Sequence, residues 1–250
     1  MILIDEKTGK IEHQGKTLPL YSLEAFELIS KLWVKMGWAN KYSYQYTWLG
    51  RPIIQHPEDI LKIQEVIYQI KPTLIIETGV AHGGSLIFYA SLLKLINSGR
   101  IIGIDIDIRE KNRKAIEQHE LSSAITLIQG SSIDTQIIQQ VQTLIKKDDV
   151  VLVLLDSNHS YAHVLEELKL YSPMVTPGSY IVATDGIMKD LKGAPGAADD
   201  WEHDNPQTAV MEFLETNKTF VLETPKPIFN ESSITFENTY WPNAWLKKVK

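Results

Sequence analysis

From Lys71 onward the chain alternates between short apolar runs and longer segments of helical periodicity, and this alternation restricts the fold more than any other feature. The apolar runs span residues 74–76, 101–104, 125–128, 150–155 and 180–183, and the helix-like segments lie near 85–97, 109–120, 134–146 and 160–172. A run that is apolar at every position, rather than at alternate ones, describes a strand covered on both faces. That is the situation of a parallel sheet whose crossovers are helices. With right-handed crossovers the expected fold is α/β, a doubly wound Rossmann-like sheet. Ligands of such sheets lie in the crevice beyond the carboxyl ends of the strands, so the residues that follow each run are candidates for one common site.

The first run ends at Glu77 and enters Thr78-Gly79-Val80-Ala81-His82-Gly83-Gly84-Ser85. Glycine lacks a Cβ, so a ligand can lie against the main chain there. The helix that follows directs free N–H groups and its positive dipole end at the same place, which suits a carboxylate or phosphate. Ser85 is placed to cap that helix. The spacing of Gly79, Gly83 and Gly84 departs from the G-x-G-x-x-G of dinucleotide-binding enzymes, which speaks against a nicotinamide-dependent oxidoreductase.

The other strand ends carry further chemistry. The second run ends at Asp105-Ile106-Asp107. An acid there, within ~30 residues of a glycine loop, is positioned to accept hydrogen bonds from a ribose diol. The third ends at Gly130-Ser131-Ser132 with Asp134 beyond, which is either a ligand-edging loop or turn chemistry ahead of a helix cap. The fourth ends at Asp156-Ser157-Asn158-His159 and the fifth at Thr184-Asp185. Sequential crossovers usually give adjacent strands, so Asp156 and Asp185 should be neighbours. Two carboxylates with hydroxyl and amide oxygens suit a hard cation such as magnesium.

Composition narrows the partners. The chain has 250 residues and a formal charge of −6, which leaves no basic footprint for nucleic acid. It has no cysteine, which removes disulfides, thiolate metal sites and cysteine nucleophiles. No apolar run approaches the ~18 residues of a membrane span, and Asp5, Glu6 and Lys7 behind Met1 do not read as a signal peptide. The expected location is cytoplasmic.

The N-terminal part, 1–57, reads as an arm and helical cap ahead of a main domain, 58–250. Residues 1–20 suggest a short hairpin or loose arm, and 21–38 a helix. Trp38, Tyr42, Tyr44, Tyr46 and Trp48 then form an aromatic stretch that is either core, a self-association surface for a homo-oligomer, or a cap over a cleft. Residues 51–57 form an extended connector, and Pro57 starts a helix to residue 70. Residues 188–206, with Gly193, Pro195, Gly196 and Trp201, read as a lid. A helix at 207–216 precedes a closing strand pair expected at 219–223 and 233–236.

Taken together, Glu77-Thr78-Gly79 to Ser85, Gly103-Ile104-Asp105-Ile106-Asp107, Gly130-Ser131-Ser132 and Asp156-Ser157-Asn158-His159-Ser160-Tyr161-Ala162-His163-Val164 resemble the cephalosporin hydroxylase family. The connector, from Trp48-Leu49-Gly50-Arg51-Pro52-Ile53 to Gln55 and Pro57, and the tail Thr235-Phe236-Glu237-Asn238 fit as well. That family has the class I S-adenosylmethionine-dependent methyltransferase fold and is similar to macrolide-sugar and rhamnosyl O-methyltransferases. The resemblance implies that Glu77, Gly79, Ala81, Gly83 and Ser85 hold the amino-acid end of S-adenosylmethionine. Asp105 and Ile106 fall at the ribose, Ser131 and Ser132 near the adenine, and Asp156 beside the cofactor. It further implies magnesium bound by Asp156, Thr184 and Asp185, with His159 as general base. This chain departs from the family pattern at Thr184, where an acid is usual. The implied activity is O-methylation of a small hydroxylated acceptor, a sugar or a glycosylated metabolite. The rival readings are a cofactor-binding helper without turnover and a nicotinamide-dependent oxidoreductase.

Overall fold

In the computed structural model, which describes all 250 residues, the chain opens with a small antiparallel sheet of β1 (Ile2–Asp5), β2 (Lys10–His13) and β3 (Lys16–Pro19). It is thus more ordered than a loose arm. α1 (Leu23–Ala39) follows, its first turn capped by Ser22 Oγ, which accepts from the amide of Ala25. A hairpin of β4 (Thr47–Trp48) and β5 (Arg51–Pro52) leads into α2 (Pro57–Ile70), with proline in its first turn as expected.

The remaining chain builds a seven-stranded sheet. Its elements are β6 (Leu74–Thr78), α3 (Gly84–Leu95), β7 (Arg100–Asp105), α4 (Glu110–Glu117), β8 (Ile125–Gln129), α5 (Thr135–Leu144), β9 (Val151–Leu155), α6 (Tyr161–Tyr171), β10 (Tyr180–Ala183), α7 (Pro206–Thr216), β11 (Phe220–Leu222) and β12 (Trp245–Lys248). The spatial order is β11-β12-β10-β9-β6-β7-β8; all strands run parallel except β12, which is antiparallel to its neighbours β10 and β11. The chain winds one way from β6 to β7 and β8, then returns to β9 on its other side. The switch point therefore lies between β6 and β9, and the crevice opens at the carboxyl ends of these two strands.

Both sheet faces are covered, which is why the strands are apolar throughout. Successive residues of a strand point to opposite faces. Ile75, Leu152, Leu154 and Val182 join one buried cluster with Phe88 and Ile63, while Leu74, Ile76, Val151, Val153 and Leu155 join the other with Leu168, Val210 and Phe213. Each fully buried aliphatic side chain contributes roughly 1.5–3 kcal/mol.

The closing strand pair differs from expectation. β11 falls within 219–223, but its partner is Trp245–Lys248 and not 233–236. Residues 233–236 have no regular backbone structure. The apolar pull comes from Trp245 and Leu246, 2% and 0% exposed. The lysines that make β12 look polar are satisfied: Lys247 pairs with Glu223 at 2.7 Å, and Lys248 Nζ donates to the Ser172 carbonyl.

Candidate active site

The glycine loop is pressed against the neighbouring strand end. Gly79 has φ +92°, and a Cβ there would come 1.9 Å from the Asp156 carbonyl oxygen. At Gly84 a Cβ would come 2.1 Å from the Pro52 carbonyl, so the connector after β5 lies directly on the start of α3. Arg51 donates to the His82 carbonyl through Nε and a terminal nitrogen, at 3.0 and 2.6 Å. Asn112 donates to the Ala81 carbonyl at 2.8 Å. Asp105 fastens the loop to β7: its carboxylate accepts from the amides of Val80 (2.8 Å), Ala81 (3.1 Å) and Asp107 (3.0 Å).

Glu77 lies beneath this loop. It is fully buried, and its carboxylate accepts from the Ser85 hydroxyl at 2.7 Å and the Tyr89 hydroxyl at 3.0 Å. Burial, reinforced by the charge of Asp156, pushes its carboxyl well above the ordinary carboxylate range. Ser85 is therefore not the helix cap. Gly83 occupies that position, and no side chain caps the first turn of α3.

A cleft of about 360 Å³ runs along these strand ends, lined by Gly79, Ala81, Asp105, Ile106, Ser131, Ser132 and Asp156 among others. Gly83 and Ser85 line a narrow recess that continues from it past Gln55. Of the expected cofactor residues, only Glu77 lines neither space, consistent with its place under the loop. Sequence reasoning had not assigned Ser157, Asn158 or His163 to the cleft. His163, one helical turn after His159, has Nε2 3.1 Å from Ser132 Oγ and 3.4 Å from the buried Glu167.

Asp156, His159 and Asp185 converge, each offering a ligand atom within 4.8 Å of the others. Nε2 of His159 is 3.2 Å from Asp185 Oδ2. Burial, and then the charge of Asp185, raises Asp156 to about 6. Burial also raises Asp185, and His159 offsets this. Asp185 takes a left-handed backbone, φ 54°, unusual for a residue with a side chain. Two carboxyls reluctant to ionise together form an oxygen donor pair that fits a hard divalent cation, with the imidazole beside it. Thr184 is turned elsewhere: its hydroxyl is fully buried, 2.6 Å from Asp156 Oδ1 and 2.9 Å from the Leu155 carbonyl.

Asp185 also reaches a second cavity, of about 370 Å³, walled by Trp38, Tyr44, Trp201 and Tyr240, with Lys41 among its lining. Trp38 of α1 meets Trp201 of the 188–206 segment edge to face, with ring centroids 5.3 Å apart. The aromatic stretch and the expected lid thus close on one another.

A doubly wound sheet with a glycine loop after its first parallel strand, an acid after the second and an acidic cluster after the fourth and fifth defines a class I S-adenosylmethionine-dependent methyltransferase. The sequence profile of the rhamnosyl O-methyltransferase/CmcI family matches residues 40–249, and the chain belongs to that family. It is 26% identical over 172 residues to a rhamnosyl O-methyltransferase of Mycobacterium tuberculosis (strain ATCC 25618 / H37Rv), covering 68% of this chain and 69% of that one. It is 30% identical over 151 residues to the rhamnosyl O-methyltransferase of Mycobacterium leprae (strain TN), covering 60% and 62%. The solved structure of CmcI-D160 with Mg and S-adenosylmethionine shares the fold, with a TM-score of 0.55, 20% identity, and coverage of 83% of this chain and 78% of that one.

Proposed function

We propose that this protein transfers the methyl group of S-adenosylmethionine to a hydroxyl of a sugar or glycosylated small molecule. One observation carries the proposal: Asp156 lines the cleft behind the glycine loop, Asp185 lines the aromatic cavity, and the two acids meet at His159. A donor in the first space and an acceptor in the second would face one another across this cluster. Aromatic walls suit the C–H face of a sugar ring, and the acid at the wall suits its hydroxyls. The rhamnosyl names of the mycobacterial relatives support the same acceptor class.

The sulfonium donor supplies an already activated methyl group, so the protein's task is alignment and proton removal. The glycine loop and Asp105 hold the nucleoside, and the Trp38–Trp201 contact closes the acceptor side. His159 accepts the hydroxyl proton at Nε2, and Asp185 stabilises the imidazolium that results. The O–CH3 bond forms as the S–CH3 bond breaks, leaving S-adenosylhomocysteine. Asp156 and Asp185 would hold magnesium, with Thr184 contributing through Asp156, and His159 stays free beside them as the base; a bound cation would lower the pKa of a coordinated hydroxyl.

The test is transfer of labelled methyl from S-adenosylmethionine to a panel of deoxyhexosides, with magnesium and with chelator. Transfer to a sugar hydroxyl is the expected result. Calorimetric binding of NAD with no binding of S-adenosylmethionine would overturn the proposal.

A further inference from the structure

Gln55 belongs to the connector between β5 and α2, outside the alternating elements that build the sheet. It is 3% exposed, and neither Nε2 nor Oε1 makes a hydrogen bond of ordinary length, although the Tyr89 hydroxyl and the Asp156 carboxyl stand close enough to feel its amide. A buried amide left in that state is destabilising, so its retention calls for an explanation. The side chain is not stranded in the apolar core. It lines the narrow recess that Gly79, Gly83, Gly84, Ser85 and Asp156 also line, beside the uncapped first turn of α3. The close approach of Pro52 to Gly84 fixes the connector there, so the backbone brings the amide to the recess.

We infer that Gln55 is a positioning residue for the methyl donor, gripping the zwitterionic amino-acid end of S-adenosylmethionine. The argument rests on the methyl-transfer reading above. A carboxamide carries both a donor and an acceptor. Nε2 donates to the α-carboxylate, which also meets the free N–H groups of α3. Oε1 accepts from the α-ammonium. Glu77, the acid just before the glycine loop, lines neither the cleft nor the recess and is turned to Ser85 and Tyr89 instead. Asp156, which also lines the recess, can only accept, whereas the Gln55 amide can both donate to the carboxylate and accept from the ammonium.

The test compares two ligands that differ only at this end. Titration calorimetry with S-adenosylhomocysteine and with 5′-methylthioadenosine, which lacks the amino-acid part, is run on the wild type, Gln55→Leu and Gln55→Glu. Loss of a hydrogen bond to a charged group should weaken S-adenosylhomocysteine binding about 10- to 100-fold in Gln55→Leu. Methylthioadenosine binding should hold at its wild-type level. Gln55→Glu keeps the shape of the side chain and serves if the leucine variant does not fold; its added negative charge should repel the carboxylate and give the same selective loss. Equal losses for both ligands, or no loss for S-adenosylhomocysteine, would overturn the inference. A wild type that binds neither ligand would instead overturn the methyl-transfer reading.

Discussion

Nε2 of His159 stands 3.2 Å from Oδ2 of Asp185, although the two side chains leave different strand ends. His159 follows β9 and Asp185 follows β10, and the contact exists because these strands are parallel neighbours, with Leu155 in register with Ala183. If His159 is the base, His159→Ala should lower kcat by roughly 10²- to 10⁴-fold. The Kd for S-adenosylhomocysteine should stay at the wild-type value. Labelled-methyl transfer and calorimetry measure the two quantities, and full activity in the variant would remove His159 from this role.

Which parts of this site were legible in the sequence follows from where they sit. Residues 74–78 and 151–155 announce themselves because both faces of their strands are buried. Once the strands are known, topology delivers Asp105, Asp156 and Asp185 to one edge without further information. Gln55 and Tyr240 obey no such rule, since each comes from an irregular segment outside the alternation. The hydroxyl of Thr239 bonds Asp59 across 180 positions of sequence, and no local pattern encodes such a contact. β12 escaped notice because Lys247 and Lys248 read as solvated, while their partners Glu223 and Ser172 are far away in the chain. The role of Ser85 was misplaced for a related reason: a serine at a helix start usually caps it, but here the hydroxyl turns down to a buried acid.

The Trp38–Trp201 contact makes a prediction about the acceptor alone. Trp201→Ala removes one wall of the aromatic cavity and an edge-to-face pair worth about 0.5–1.5 kcal/mol. Neither indole lines the cleft behind the glycine loop. The acceptor KM should rise about 2- to 13-fold if the lost wall contributes a similar energy to acceptor binding, while the Kd for S-adenosylhomocysteine is unchanged. A parallel rise in both constants would mean that the tryptophan supports the whole fold rather than the acceptor space.

Thr184 offers a test of the cation site. Its hydroxyl is fully buried against Asp156, so Thr184→Asp adds a third carboxyl where two already resist ionisation. Without a cation the variant should lose on the order of 3 kcal/mol, the scale of an uncompensated buried charge. A divalent cation that binds the folded state should restore part of it by mass action. Thermal melting with magnesium and with chelator should therefore separate the two conditions more widely in Thr184→Asp than in the wild type. Identical melting in both conditions would speak against a cation at this cluster.

The acids and bases beneath α1 predict a pH dependence in two opposing parts. His56 is 1% exposed in a box of Trp33, Tyr42 and Tyr240, with Glu58 3.5 Å from Nδ1, and burial drives its pKa down to about 4. Asp59, on the next helix, is 2% exposed and accepts from the Thr239 hydroxyl and from the Tyr240 amide at 2.9 Å; burial outweighs these bonds and pushes it up to about 7. Between pH 4 and 6.5 the unfolded chain binds a proton at His56 that the folded chain does not, so this group makes stability rise with pH. Over the same interval the folded chain holds a proton at Asp59 that the unfolded chain has lost, so this group makes stability fall with pH, and continues to do so up to about pH 7. In the wild type the two slopes oppose one another. His56→Phe should therefore gain on the wild type as pH falls from 6.5 towards 4. Asp59→Asn should gain on it as pH rises from 4 to 7, each divergence being on the order of 3–4 kcal/mol across the window. Urea unfolding at half-unit pH steps measures both, and comparison of slopes cancels any constant cost of the substitution. Slopes that coincide with the wild type would mean that these groups titrate in the folded protein as they do in the unfolded chain.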